Sequence, residues 1–397
     1  MNRLTSGCYE RFVRPLLFRL DPERAHHLAL RALQLAPRIP GALSLLRAFA
    51  PNEKPTALFG LQFRNPIGLA AGFDKNGVAI PAWEALGFGF VELGGVTWHP
   101  QAGNPAPRMF RAVADEALIN RLGFNNPGAE AIAAKLTEWR SLGFWPKHPV
   151  GINLGKSKIA PLERAAEDYA SSFRALWPHA DFFVVNVSSP NTPDLRQLQD
   201  KAALDEILSA LQAVNQESAA RSVVSRQLSV AADHGPRTTD NKPILVKVAP
   251  DLSFEALDEI GELAGPRRIG GIVATNTTLT RPETSDPGLK QIYAEAGGLS
   301  GRPLRARSTE IIRHLYRQTK GALPLIGVGG IFNADDAWEK IAAGASLVQI
   351  YTGLVYEGPS VTKEIVAGLR QRLMEHGFGS LREAAGTASD VSGNRKA

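Results

Sequence analysis

The feature that most restricts the fold of this chain is an alternation that runs from about residue 55 to about residue 375. Short β-branched runs, each ending in small or polar residues, alternate with segments of helical periodicity. The runs are Ile67–Ala71, Phe90–Gly94, Val150–Leu154, Phe182–Val187, Ile244–Val248, Gly271–Thr275, Leu325–Val328 and Leu347–Tyr351. Most are apolar throughout, as expected of parallel strands covered by helices and not of a sheet with one wet face. Helical patterns follow them, as over Gly128–Arg140, Pro161–Trp177, Ala202–Val214, Phe254–Leu263, Ser308–Gln318, Ala334–Ala343 and Pro359–Arg372. Eight strands, each with a following helix, is the count of a closed (β/α)8 TIM barrel; a doubly wound open sheet gives no reason to stop there. The expected organisation is therefore a helical arm over residues 1–50, a barrel over 51–375 and a tail over 376–397. The small and charged residues of that tail predict disorder. Gln216–Asn241, polar and weakly periodic, reads as an exposed insertion before the fifth strand.

Composition excludes several classes. The 397 residues are 44% hydrophobic and 21% charged, enough to bury a large core. A single cysteine excludes a disulfide scaffold and a thiolate cluster. The eight histidines show no metal-binding spacing, so no metal is expected. No run of about 18 apolar residues predicts a membrane span. Of the net charge of +6, residues 1–50 carry +5 (eight arginines less Glu10, Asp21 and Glu23), leaving +1 for the rest. A chain whose body is so nearly neutral does not read as a nucleic-acid binder.

The basic segment reads as helices. Phe12, Val13, Leu16, Leu17 and Leu20 recur at helical spacing, with Pro15 placed to shorten or kink that helix. Asp21-Pro22 has the form of an N-cap followed by proline at the first helical position, and Leu28, Ala29, Ala32, Leu33 and Ala36 line one face as far as Pro37. Arginines interrupt every stretch that might form the apolar core of a secretory leader. Two readings stay open from composition: an arm packed on the barrel, or a basic amphipathic pair lying on an anionic membrane.

In such a barrel the active site lies at the C-terminal ends of the strands. Those ends carry Ala70, Ala71, Gly72, Asp74 and Lys75; Gly95 and Thr97; Asn153; Asn186, Ser188, Ser189, Asn191 and Thr192; Lys247; Thr275, Asn276 and Thr277; Gly329 and Gly330; and Tyr351, Thr352 and Gly353. This rim of amides, hydroxyls and two lysines, with one carboxylate and no histidine, argues against metal hydrolysis, a carboxylate-pair glycosidase and a Ser-His-Asp triad. It suits a planar ligand bearing amides, because asparagine offers a donor and an acceptor side by side. Glycines after strands seven and eight allow backbone N–H groups to converge on a phosphate, or simply permit tight turns. Lys247, ending an apolar strand, points to an electron-rich cofactor ring or to a structural ion pair with Asp74.

Several segments in register resemble those of dihydroorotate dehydrogenase: NVSSPNTP (186–193), NRLGFNN (120–126), ATNTT (274–278), GGLSGRP (297–303) and GVGGI (327–331). LDPERAH (20–26) is similar to the membrane-associated, quinone-reducing class 2, and the resemblance spans about residues 9–370. It implies a barrel holding one non-covalent FMN that oxidises (S)-dihydroorotate to orotate in pyrimidine synthesis. FMN would meet Ala70, Ala71, Gly72, Asp74, Gly95, Asn153, Asn186, Lys247, Thr275, Gly301, Gly330, Tyr351 and Thr352. Substrate would meet Lys75, Asn120, Arg121, Leu122, Gly123, Phe124, Asn186, Asn191, Asn276 and Thr277, and Ser189 matches the catalytic base. Gly95 departs from the family's usual Thr or Ser, Thr352 from its Ser, and Trp98-His99 from a proline-basic pair.

The resemblance also implies a membrane quinone as final acceptor, reached along a tunnel past His26, Arg111 and Tyr351. That gives the basic arm a role on the membrane, at the cytoplasmic face of a bacterial inner membrane or at the mitochondrial inner membrane. A flavin barrel with a soluble acceptor would need no arm, and a barrel that had lost its flavin would be colourless.

Overall fold

The computed structural model describes residue 7 and residues 9–52, 55–228 and 241–388. All eight expected strands form, here numbered β1 (Ile67–Leu69), β2 (Phe90–Val96), β3 (Val150–Leu154), β4 (Phe182–Asn186), β5 (Ile244–Val248), β6 (Gly271–Ala274), β7 (Leu325–Val328) and β8 (Leu347–Ile350). Each pairs in parallel with its sequence neighbours, and β8 pairs with β1 to close the barrel. Almost every strand residue is buried, which is why the runs lack alternation. Inside, Phe90 and Phe182 stack edge-on at 6.2 Å and Phe63 meets Phe90 at 5.3 Å. A side chain at Gly68 would run into the Phe90 ring, so the bare backbone makes room for this aromatic layer. Phe63 comes from a hairpin, Thr56–Leu58 with Leu61–Phe63, that sequence periodicity does not reveal.

A second unforeseen element helps to build the site. Strands Met109–Ala112 and Ala117–Asn120, between β2 and the next helix, join Gly298–Gly301 in an antiparallel sheet. Asn120 and Gly301, at strand ends of this sheet, line the cleft at the C-terminal end of the barrel.

The arm is helical, as expected. A wide turn over Tyr9–Val13 passes at Pro15 into Arg14–Phe18, so the proline marks a change of winding. Asp21 caps Pro22–Leu35, its carboxylate accepting from the N–H groups of Glu23 and Arg24 at 3.0 Å. No helix among the described residues is long and apolar enough to cross a membrane.

Two expectations need correction. The helix before β5 runs over Lys201–Leu228, through half of the expected insertion, with Arg221 paired to Glu217 one turn back; residues 229–240 lie outside the described residues. A helix can form there without an apolar stripe because most of its residues, Gln, Glu, Ala, Arg and Leu, are good helix formers. The tail is ordered as far as residue 388: Ser380 caps Leu381–Ala384, Ala384 is buried, and the N–H groups of Gly386 and Ala388 reach the carbonyls of Ile341 and Ala342 at 3.2 and 2.9 Å. Residues 389–397 lie outside the described residues.

Candidate active site

The strand ends line an open cleft. Among the expected residues, Ala70, Ala71, Gly72, Lys75, Gly95, Asn120, Leu122, Gly123, Phe124, Asn186, Ser189, Asn191, Lys247, Thr275, Asn276, Thr277, Gly301, Gly330, Tyr351 and Thr352 line it. Three do not. Asn153 lies behind the lining, donating to Glu92 at 2.7 Å and accepting from Asn186 at 2.9 Å. Arg121 turns outward to Glu295 at 2.6 Å, over the ring of Phe110. Asp74 is buried and accepts from the N–H groups of Val78 and Ala79 at 2.9 Å and from Trp83 Nε1 at 3.0 Å. Its carboxylate closes the turn leading to helix Ile80–Ala85, and burial pushes its pKa up.

Asp74 is therefore not the partner of Lys247. The carboxylate nearest the Lys247 ammonium is Glu92, 3.9 Å away. Glu92 is wholly buried in β2, and sequence reading missed it, as it missed Gln349 in β8, which donates to Glu92 at 2.6 Å. A lone charged side chain in an apolar parallel strand was the available signal, the same one that picks out Lys247.

The Ser189 segment leaves β4 through a side-chain turn. Asn186 Oδ1 accepts from the backbone N–H and hydroxyl of Ser188 at 3.2 and 3.1 Å, and Tyr169 anchors the Asn186 carbonyl at 2.9 Å. Ser189 Oγ accepts from the Asn191 N–H at 3.3 Å and faces the cleft. Thr192 is buried nearby, but its hydroxyl makes no hydrogen bond to Ser189 among the described residues. Across the cleft, Asn191 Nδ2 donates to Asn120 Oδ1 at 3.1 Å, leaving Asn191 Oδ1 buried without a partner among the described residues. Lys75 is half-buried and donates to the Gly123 carbonyl at 3.0 Å and to Asn125 Oδ1. Desolvation, aided by Arg108 and opposed by Glu23, pushes its ammonium down to about 7.

Two glycines shape the walls. Gly330 has φ +68°, and a side chain there would strike the backbone of Arg305. At Gly95 a Cβ would come within 2.6 Å of the Phe124 ring, so any side chain there would require that ring to shift.

A second cavity, almost wholly apolar, lies between the arm and the barrel. Leu17, Phe18, Ala29 and Leu33 of the arm face Phe73 and Trp83 of the barrel. His26, Arg111 and Tyr351 are all in its wall, and Tyr351 lines the polar cleft as well. Burial, chiefly, pushes the His26 imidazole down to about 4, so it is neutral at pH 7. Arg111 is engaged with the arm: its guanidinium donates to the carbonyls of Leu20 at 2.8 Å and of Leu17 and Phe18 at 3.4 Å, and lies over the Phe18 ring.

Comparison with known proteins places the chain in a family. The dihydroorotate dehydrogenase family profile matches residues 55–373. A dihydroorotate dehydrogenase (quinone) from Gloeobacter violaceus is 51% identical over 95% of this chain and 98% of its own. One from Salinispora arenicola is 50% identical over 91% and 99%. Among solved structures, an Eimeria tenella DHODH in complex with ferulenol superposes with a TM-score of 0.80 at 35% identity, over 93% of this chain and 96% of that one. With its barrel, its cleft and this likeness along nearly all its length, the chain belongs to the dihydroorotate dehydrogenase family.

Proposed function

We propose that this chain oxidises (S)-dihydroorotate to orotate in pyrimidine synthesis, with one non-covalently bound FMN, and delivers the electrons to a membrane quinone. The observation that carries the reading is the meeting of two unlike cavities at Tyr351, one walled by amides, hydroxyls and lysines and the other apolar. A small polar ring belongs in the first and a long hydrocarbon tail in the second.

The residues present fit FMN. Gly330 forms a side-chain-free turn suited to a phosphate, Lys247 is buried beside the cleft, and Gln349 Oε1 is a buried acceptor in the cleft wall without a partner among the described residues. When bound, FMN supplies a two-electron acceptor for the hydride at C6 of the substrate and a donor to quinone. Gly95, Asn186, Thr275, Gly301, Gly330, Tyr351 and Thr352 would hold it from the cleft wall, with Asn153 supporting from behind. Asp74 and Arg121 are engaged elsewhere, and only their backbone remains for a ligand.

Ser189 Oγ would take the proton from C5 of dihydroorotate. A serine is a weak base, so its proton must pass on to solvent. Asn120, Asn191, Asn276 and Thr277 would hold the cyclic imide, and the Lys75 ammonium would meet the substrate's negative charge. The arm would rest on the cytoplasmic face of a bacterial inner membrane: Phe12, Leu16 and Leu20, spaced four residues apart, are all exposed on its surface.

The purified protein should be yellow, lose its colour when dihydroorotate is added without oxygen, and regain it with quinone. A colourless preparation that cannot be reconstituted with FMN overturns the reading.

A further inference from the structure

The buried polar groups beneath the cleft form one line of hydrogen bonds that ends in a single anion. Glu92 has no exposed surface, and the rest of its strand, FVELGGV, is apolar or glycine. Its two oxygens receive different amides: Oε1 accepts from Asn153 Nδ2 at 2.7 Å and Oε2 from Gln349 Nε2 at 2.6 Å. From Asn153 the line continues into the cleft. Asn153 Oδ1 accepts from Asn186 Nδ2 at 2.9 Å, Asn186 Oδ1 from Asn276 Nδ2 at 3.2 Å, and Asn276 Oδ1 from the Thr277 N–H at 2.8 Å.

An ionised carboxylate only accepts, whereas a primary amide donates at one end and accepts at the other. Glu92 therefore turns the NH2 groups of Asn153 and Gln349 toward itself. The oxygen of Asn153 then faces Asn186, whose NH2 must meet it, and the oxygen of Asn186 faces Asn276. Fixing the first amide thus favours one sense along the line, and the backbone N–H groups of Ser188 and Thr277 hold the oxygens of Asn186 and Asn276 in that same sense. We infer that Glu92 is a positioning residue that sets the donor–acceptor polarity of the Asn153–Asn186–Asn276 line, so that the cleft offers a donor at Asn186 and an acceptor at Asn276 to the ring of the substrate. The inference rests on the function proposed above. Glu92 does not itself line the cleft, so it acts through the amides. Its role is not simply to neutralise Lys247, which at 3.9 Å is beyond hydrogen-bond reach while both amides are within it. The same polarity leaves Gln349 Oε1 as a buried acceptor at the cleft wall.

Glu92→Gln is nearly isosteric but presents one NH2 where the carboxylate presents oxygen, so Asn153 or Gln349 must turn round or lose its bond. FMN content, and orotate binding by calorimetry on the holoenzyme, read the result. Orotate Kd should rise roughly tenfold or more, the worth of one to two mismatched hydrogen bonds, and the loss in turnover should appear in KM as well as kcat. The double variant Glu92→Gln, Asn153→Asp moves the acceptor-only group one place along the line. The amide introduced at position 92 would donate to the carboxylate introduced at position 153, which would in turn accept from Asn186. This double variant should bind orotate clearly more tightly than the single variant. A general packing role predicts instead a lower unfolding temperature in both, with the double no tighter than the single. If the single variant purifies without FMN or fails to fold, the double decides, and it must hold FMN and bind orotate. An unchanged orotate Kd in the single variant, or a double variant no better than the single, overturns the inference. Wild-type protein that holds no FMN or binds no orotate overturns the functional reading instead.

Discussion

Arg108 clasps Glu23 from the barrel side, with Nε 3.0 Å from both carboxylate oxygens and Nη2 2.7 Å from one. The same guanidinium donates through Nη1 to the carbonyls of Ala102 and Asn104 at 2.9 and 2.7 Å. Asn104 in turn donates to the carbonyls of Arg121 and Asn191 at 2.9 and 3.0 Å. The first turn of the arm helix is thus tied, through one arginine and one asparagine, to the wall that carries the substrate asparagines. Arm and cleft are mechanically one unit, although they belong to different parts of the sequence.

That clasp makes stability depend on pH with a definite sign. The hydrogen bonds from Arg108 hold the Glu23 carboxyl below its ordinary range. A depressed folded-state pKa contributes stability above the unfolded value, about 4.3 for Glu, and loses it as pH falls through the lower folded value. Glu23→Gln should therefore cost about 1 to 2 kcal/mol at pH 7, a typical loss for hydrogen bonds to a charged group. The gap between wild type and variant in thermal unfolding should narrow as pH falls below about 4.3. A gap that stays constant down to about pH 3, below that unfolded value, would mean that the pair contributes packing alone.

Lys75 gives the substrate cleft a pH dependence of its own. With its ammonium pushed down to about 7, the cation is lost as pH rises through that value. An anionic ligand binds the ammonium form and is released by its loss. Orotate Kd should thus be flat below about pH 6.5 and climb above about 7, approaching roughly tenfold per pH unit. Lys75→Met should bind orotate weakly at every pH, without the step. Titrating orotate into the holoenzyme across neutral pH checks this, and a wild-type profile with no rise would assign the anion to another group.

The barrel was legible because its strands are local. Each is a short apolar run that shows itself without reference to the rest of the chain, and the N-cap at Asp21 with Pro22 is equally self-contained. The sheet beside the cleft was hidden for the opposite reason. Met109–Ala112 and Ala117–Asn120 are four residues each, and their partner Gly298–Gly301 lies far along the sequence. Nothing near Arg108 in the sequence marks Glu23 as its partner. Most of the cleft lining followed from motif resemblance, since family motifs record non-local geometry. Asp74 and Arg121 lie on matching segments yet turn their side chains away from the cleft, which no motif reveals.

Ser189 tests the proton step separately from the cofactor. Its hydroxyl accepts only the Asn191 N–H among the described residues, so Ser189→Ala removes little structure and the protein should keep its FMN. Flavin reduction by dihydroorotate, followed by stopped flow, should slow by roughly two to four orders of magnitude, the usual worth of a positioned base. Ser189→Cys, with its more acidic thiol (pKa about 8.5), should recover part of the rate and shift the pH profile downward. An alanine variant reduced at the wild-type rate would show that the proton leaves by another route.

Deleting residues 1–47 separates the two half-reactions and tests the quinone assignment. The deletion removes no barrel strand and leaves the lining of the polar cleft intact. It does remove Leu17, Phe18, Ala29 and Leu33 from the apolar cavity, leaving Phe73 and Trp83 open to water, and it releases Arg108 and Arg111 from their partners on the arm. FMN should therefore be retained and dihydroorotate should still reduce it, with orotate held somewhat less tightly because the Arg108 link to Asn104 is loosened. The lost segment carries a net charge of about +5, and attraction to an anionic leaflet is worth on the order of 1 kcal/mol per basic residue near the surface. Binding to anionic vesicles should fall accordingly. Reduction of a long-tailed quinone should collapse, because the cavity that would shelter its tail no longer has an outer wall, whereas a small water-soluble dye should accept electrons at close to the normal rate. If the truncated protein reduces the long-tailed quinone as well as the full chain does, the arm is only packing and the acceptor reaches the Tyr351 edge of the cleft from elsewhere.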